Sequence, residues 1–210
     1  PMIMAGCLID EQLEKEFKEL GVKDSKKLTP RRREILAEII RKKALAYEIL
    51  VTPPAEIDGK LKSGTNLNTL EAIKAAEIIN TIEEKTEGIE KIKAVVDCPS
   101  PNIEKWKNTL KSYVSHPEKF EFFVEHKADV NHIACSAASV IAKSKREEEV
   151  EKIKKQIGID FGSGYTSDPV TIKFLQEHKH KHNGDGLFRE TWQTWKNAAC
   201  KKEQKSLGEY

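Results

Sequence analysis

The sequence predicts an α/β fold built on a central sheet, and three observations carry that expectation. Apolar stretches of strand-like period alternate with stretches of helical period along the chain. Two β-branched or aromatic runs each lead into an aspartate and then a helix. Neither an internal repeat nor a low-complexity linker divides the 210 residues, so one main domain is expected. Alternation of this kind implies helices layered on a sheet, and the length suffices for one sizeable core with at most a small appendage.

Taken in order, Met2 to Leu8 reads as a buried strand, and Glu14 to Leu20 as a charged helix with Phe17 and Leu20 on one face. Thr29-Pro30 opens a helix in which Ile35, Leu36, Ile39 and Ile40 recur at core spacing. Proline suits the first helical position because its φ is already helical. Leu45 to Val51 is a strand broken by Pro53-Pro54, and Asn68 to Ile82 is amphipathic through Leu70, Ile73, Ala76, Ile78 and Ile79. Ile92 to Val96 forms a β-branched run ending in Asp97, and Phe120 to Val124 an aromatic strand bounded by charge. Ile133, Ala134, Ala137, Ala138, Val140, Ile141 and Ala142, with small Ser136 and Ser139, predict a helix buried nearly all round that turns into Lys143, Lys145 and Arg146. A further helix follows Asp168-Pro169.

Asp97 and Asp129 both fall where a strand gives way to a helix. Two such units would deliver both carboxylates to one edge of the sheet, where open α/β folds build their sites. A wet carboxylate on rigid backbone is what a metal ligand requires. Aspartate is also a favoured helix N-cap and turn residue, so capping and ligation both stay open at this point.

Composition narrows the class. Thirty-six basic against 34 acidic residues leave a net charge of +2, so affinity for nucleic acid would come from where charge lies rather than from its total. It lies toward the end: Lys173, Lys179, Lys181, Arg189, Lys196, Lys201, Lys202 and Lys205 outnumber Glu177, Asp185, Glu190 and Glu203 around Trp192 and Trp195. Basic residues among aromatics fit phosphate contact, and equally a solvated face over core tryptophans. Cys7, Cys98, Cys135 and Cys200 lack paired spacing, which argues for a reduced, cytoplasmic protein. His178, His180 and His182 alternate, and alternate helical residues diverge, so no zinc site is expected. No stretch is long and apolar enough to cross a bilayer, and no secretory leader is visible.

Seven segments, in order along almost the whole chain, resemble ribonuclease HII, the type 2 ribonuclease H, especially its archaeal form. They are Gly21-Val22-Lys23-Asp24-Ser25-Lys26-Lys27-Leu28, Asn66-Leu67-Asn68, Val95-Val96-Asp97, Glu125-His126-Lys127-Ala128-Asp129, Ser136 to Lys143, Gly162-Ser163-Gly164-Tyr165-Thr166-Ser167-Asp168-Pro169 and Arg189-Glu190-Thr191-Trp192. The resemblance implies an RNase H-like fold, a mixed central sheet flanked by helices with a helical C-terminal extension that grips nucleic acid. It implies a catalytic domain over 1–165, the extension over 166–203 and a tail over 204–210. The implied activity is endonucleolytic cleavage of the RNA strand of RNA/DNA hybrids, and cleavage 5′ to a ribonucleotide embedded in duplex DNA.

By motif position Asp97 and Asp129 match the family's third and fourth catalytic carboxylates, hard oxygen ligands for Mg²⁺ or Mn²⁺ in a two-metal hydrolysis. Tyr165 matches the contact to the sugar at the RNA-DNA junction, where the 2′-hydroxyl distinguishes the strands. Ser25, Lys26, Asn66, Lys143 and Arg146 lie in segments that the family sets near substrate, where they would position phosphates; capping and surface pairing remain their alternative. The family's Asp-Glu-Ala-Gly-Arg-Gly-Pro strand, with the first two carboxylates, precedes the position of Pro1. Residues 1–210 alone are therefore expected to be nearly inactive.

The end of the chain, Gln204 to Tyr210, resembles the clamp-binding peptides of archaeal replication and repair proteins, with Gln204, Leu207 and Tyr210 as the anchors that would enter a sliding-clamp pocket. A frayed tail is the alternative. The family resemblance implies a monomer. Two other classes stay open from the sequence: a non-catalytic protein that binds hybrids or the clamp, and another RNase H-fold enzyme such as a resolvase, against which the Gly-Ser-Gly-Tyr and Ser-Ala-Ala-Ser segments argue.

Overall fold

The computed structural model describes residues 1–22, 28–86 and 88–198. Ser25, Lys26, Gln204, Leu207 and Tyr210 lie outside the described residues. The elements run β1 (Met2–Leu8), α1 (Glu11–Glu19), α2 (Pro30–Lys43), β2 (Ala46–Thr52), α3 (Pro54–Lys62), α4 (Leu67–Glu84), β3 (Ile92–Asp97), α5 (Ile103–Ser112), β4 (Phe120–Glu125), α6 (Ala128–Asn131), α7 (Ile133–Ile157) and α8 (Pro169–His178). The chain divides into two compact units. One holds Ile3–Val51 and Asn66–Lys145; the other holds Pro1–Met2, Thr52–Thr65 and the chain from Arg146.

In the first unit the helices start where side chains can cap them. Asp10 accepts from Leu13 N at 2.8 Å, Thr29 from Arg32 N at 3.3 Å, Asn66 from Thr69 N at 2.9 Å and Asn102 from Lys105 N at 3.0 Å. Each bond satisfies a donor that the first helical turn leaves unpaired. Asn66 thus takes the capping role. The apolar faces of α1, α2 and the first half of α7 meet in a core of Phe17, Leu36, Ile40, Ala137, Val140 and Ile141. A second core joins Ala72 and Ala76 of α4 to Trp106 and Leu110 of α5 and to Ile92 and Phe120. The indole N–H of Trp106 donates to Asn68 O at 2.9 Å, which lets a polar atom enter that core.

Strands pair two by two, β1 with β2 and β3 with β4. β3 and β4 are parallel, with Ile92 opposite Phe120 and Asp97 opposite Glu125. Parallel neighbours need a crossover, and α5 supplies it. β1 packs hard on α4: a Cβ at Gly6 would lie 2.4 Å from Ile78 Cγ2 and 2.7 Å from Ile82 Cδ1. The structure adds α3 to the helices expected and supplies the one expected after Asp97 as α5. Pro53-Pro54, expected only to break a strand, puts Pro54 at the start of α3, and the Pro99–Asn102 turn leads into α5.

The second unit gathers α3, the later part of α7, α8 and a helical stretch at 193–198. Val150, Phe161, Phe174, Leu175 and Trp195 form its core, with Phe188 against them. The carboxylate of Asp58 on α3 accepts from Glu190 N at 2.6 Å and from the Thr191 hydroxyl, tying the Arg189–Trp192 segment to that helix. His178 ends α8 and, with His182, packs its ring at a tilt against Phe174, so these two histidines join this aromatic core. No helix among the described residues is long and apolar enough to cross a membrane.

Candidate active site

Asp97 closes β3 directly opposite Glu125, the last residue of β4, and that position decides what it touches. Cys98 N donates to Glu125 O at 2.8 Å, so the two strand ends stay together past the ladder. The chain then turns through Lys127 at φ 60°, an uncommon left-handed residue that is not a glycine. That turn aims the N–H of Ala128 back at β3, where Asp97 Oδ1 accepts it at 3.2 Å. Lys127 makes no side-chain cap to α6, and the aspartate of the neighbouring strand takes that part. Capping and site formation are therefore one arrangement here.

Asp129 follows inside α6 and retains only 7% of its exposure, whereas Asp97 is exposed. Its backbone carbonyl accepts from the Ser136 hydroxyl on α7, which fixes the short helix to the long one. Asp97 and Asp129 line the same cavity of about 250 Å³. Cys135 lines it too, and burial pushes its thiol up to about 12, with the negative charges of Asp97 and Asp129 adding to the effect. The thiol thus stays protonated beside the carboxylates. Sequence reasoning did not single out Glu125, which faces Asp97 in register and is held by Asn131 Nδ2 at 2.9 Å and His132 Nε2 at 3.3 Å. The signal was present, since Glu125 opens the Glu-His-Lys-Ala-Asp run that ends in Asp129.

Two carboxylates lining one cavity supply the hard oxygen donors that Mg²⁺ or Mn²⁺ prefers. They fit as part of a coordination shell. Among the described residues no group of three or more His, Cys, Asp or Glu side chains is arranged to enclose a metal. Asp97 and Asp129 are the residues that would hold the ion.

In the other unit, Arg146 and Tyr165 come together. The Arg146 guanidinium lies 3.7 Å from the centre of the Tyr165 ring, and its Nη1 donates to Ser163 O at 3.1 Å. The Gly-Ser-Gly-Tyr turn is built around Asp168, which accepts from Ser163 N at 2.6 Å, the Ser163 hydroxyl at 2.7 Å and Val170 N at 2.9 Å. These bonds hold its carboxyl down at about 2. Gly162 stands at φ +78°, and a Cβ there would meet Asp168 Oδ2 at 2.5 Å, so only glycine fits. The result is a half-exposed phenol ring, backed by a cation, on a stiff turn. Arg189 stacks on Trp192 at 4.6 Å, and both side chains join Arg146 and Tyr165 around a cavity of about 350 Å³. Lys143 lies on α7 in the first unit, half-buried.

A family model described as Ribonuclease HII matches residues 1–195. The chain belongs to the ribonuclease HII family. Ribonuclease HII of Pyrococcus furiosus is 38% identical over 215 residues, covering 100% of this chain and 91% of that protein. Among solved structures, ribonuclease H2 of Pyrococcus horikoshii superposes with a TM-score of 0.78 at 31% identity, covering 97% of this chain and 100% of the other. The ribonuclease HII of a PCNA:RNase HII complex from Archaeoglobus fulgidus does so at 0.75 and 36% identity, covering 92% and 86%. The fold is therefore RNase H-like, and the protein is a type 2 ribonuclease H, an endonuclease for the RNA strand of RNA/DNA hybrids.

Proposed function

We propose that this ribonuclease HII cleaves both continuous hybrids and duplex DNA carrying a single ribonucleotide, cutting 5′ to it, with Asp97 and Asp129 as metal-holding carboxylates. The observation that carries the assignment is that Asp97 and Asp129 line one cavity, with Ala128 N bonded to Asp97 Oδ1 across 31 residues of sequence. Mg²⁺ or Mn²⁺ ions bound there would activate water and stabilise the leaving oxygen of an in-line displacement. Asp97 stays open to solvent while its backbone is clamped by β4, so its carboxylate needs little reorganisation to bind.

Tyr165 packs against the sugar at the junction, and Arg146 keeps its ring upright. Lys143 and Arg146 contact phosphates, and Asn66, Ser25 and Lys26 border the substrate. The stretch from residue 166 grips the duplex, consistent with its excess of lysine and arginine. The tail at 204–210 binds a sliding clamp through Gln204, Leu207 and Tyr210; the PCNA complex of the Archaeoglobus fulgidus relative supports this reading.

Residues 1–210 contain two of the four carboxylates of the family pattern, so the polypeptide of these residues alone is expected to cleave hardly at all. The test compares it with the same chain preceded by the family's Asp-Glu-Ala-Gly-Arg-Gly-Pro strand, on duplex DNA containing one ribonucleotide and Mg²⁺ or Mn²⁺. Restored cleavage in the extended chain supports the assignment. Robust cleavage by residues 1–210, or by Asp97→Asn in the extended chain, refutes it.

A further inference from the structure

Asp58 is a charged side chain in a place that charge avoids. It sits on α3 and keeps only 5% of its exposure. A carboxylate leaves water at a heavy cost unless donors replace those it gives up. Three donors come from one stretch far along the chain. Glu190 N bonds Oδ2 at 2.6 Å, while Thr191 N, at 3.4 Å, and the Thr191 hydroxyl bond Oδ1.

The same stretch meets α3 at a second point. A Cβ at Gly186 would lie 3.3 Å from Ala55 Cβ, and Ala55 stands one turn before Asp58 on the same helix face. The Glu190 carboxylate also accepts from Gly184 N, which closes the loop on itself. Residues 184–191 thus form a strap tied across α3. If packing were its sole purpose, an apolar side chain of similar volume at position 58 would avoid the burial of charge. What the carboxylate adds is direction, since its two oxygens fix two successive backbone N–H groups.

Arg189 and Trp192 flank that tie. Trp192 N donates to Arg189 O at 3.3 Å, and this turn brings the guanidinium to 4.6 Å from the indole centre. Among the described residues that line the cavity shared by Arg189, Trp192, Arg146 and Tyr165, two are arginines and none is a carboxylate. An anion complements such a wall. Stacking engages the face of a guanidinium, and its in-plane N–H fork is the part that meets a phosphate. The place of that fork depends on the backbone from which the side chain hangs, and Asp58 fixes the next two residues of that backbone.

We propose that Asp58 is a positioning residue of this endonuclease: through the Glu190–Thr191 tie it holds Arg189, stacked on Trp192, where the guanidinium takes a backbone phosphate of the substrate duplex. The phosphate contact rests on the nuclease reading, which brings a duplex to this unit, and the tie does not. Buried under the strap, Asp58 acts through Arg189 rather than on the substrate.

The experiment titrates the 210-residue chain, without divalent metal, against a labelled DNA duplex carrying one ribonucleotide, by fluorescence anisotropy at several salt concentrations. Arg189→Gln keeps a stem against Trp192 and removes the charge, so the slope of log affinity against log salt should flatten by about one, the loss of one phosphate contact. In Asp58→Asn the new amide meets a backbone N–H with a second donor whichever way it turns, and the slope should flatten by a similar amount. The double variant should lose no more than Arg189→Gln alone. Thr191→Val, which removes the hydroxyl bond, serves if Asp58→Asn does not fold. An unchanged slope in Arg189→Gln overturns the phosphate contact. A slope that falls in Arg189→Gln and holds in Asp58→Asn, or a further fall in the double variant, overturns the positioning role, because a merely structural Asp58 would lower the thermal melt without moving the slope. Tyr165→Ala is read in the same titrations: if it keeps the preference for the ribonucleotide over all-DNA while the slopes behave as stated, the sugar contact of Tyr165 fails and the roles of Asp58 and Arg189 stand.

Discussion

Asp97 at the end of β3 accepts the backbone N–H of Ala128 at the start of α6, at 3.2 Å. One side chain thereby caps a helix and orients the segment that carries its partner, Asp129. The two roles are separable at this position because the cap needs an acceptor oxygen and the proposed metal ligation would need charge.

Asp97→Asn keeps the acceptor and should leave the urea midpoint unchanged, whereas Asp97→Ala should cost about 1 kcal/mol. In the N-terminally extended chain both should lower kcat by more than about a hundredfold, since losing even an outer-shell partner of a metal costs ten- to a hundredfold. Equal stability loss for the two variants would refute the cap.

Gly6→Ala should destabilise by about 1–3 kcal/mol, because the new methyl meets Ile78 Cγ2, a branch fixed at its own Cβ. Ile78→Ala should cost less in the Gly6→Ala background than alone. A double-mutant cycle of urea unfolding measures that coupling, and strict additivity would show that β1 does not approach α4 this closely.

Arg146→Ala removes the cation behind Tyr165, an interaction of about 0.5–2 kcal/mol. Affinity for a duplex with one ribonucleotide should fall by up to about 30-fold. Tyr165→Ala should lose the preference for that duplex over all-DNA, while Tyr165→Phe should retain it. Fluorescence anisotropy at fixed salt reads all three.

The turn around Asp168 should be acid-labile. Hydrogen bonds hold the folded carboxyl near 2, below its ordinary 3.8, so the stabilisation is present above pH 4 and is lost as pH falls toward 2. Amide shifts of Ser163 and Val170 should report that step. In Asp168→Asn the step should vanish.

Sequence alone determined most of the elements. Pro30 after Thr29, Asn66 before an amphipathic run and Asp168 before Pro169 are local signals, and each became a helix start because capping acts within three residues. The β-branched and aromatic runs became β3 and β4, and their terminal acids came to the same end because parallel strands carry residues in register. Pro54 as a helix opener escaped notice because proline stops one element and starts the next with the same fixed φ.

Tertiary structure decided the rest. That Asp97 caps the helix bearing Asp129, that Glu125 stands opposite Asp97, and that Arg146 stacks on Tyr165 are contacts between positions 19 to 31 residues apart, for which no local period codes. Pairing depends on which edges meet once helices have packed, so a run of apolar residues names a strand without naming its neighbour.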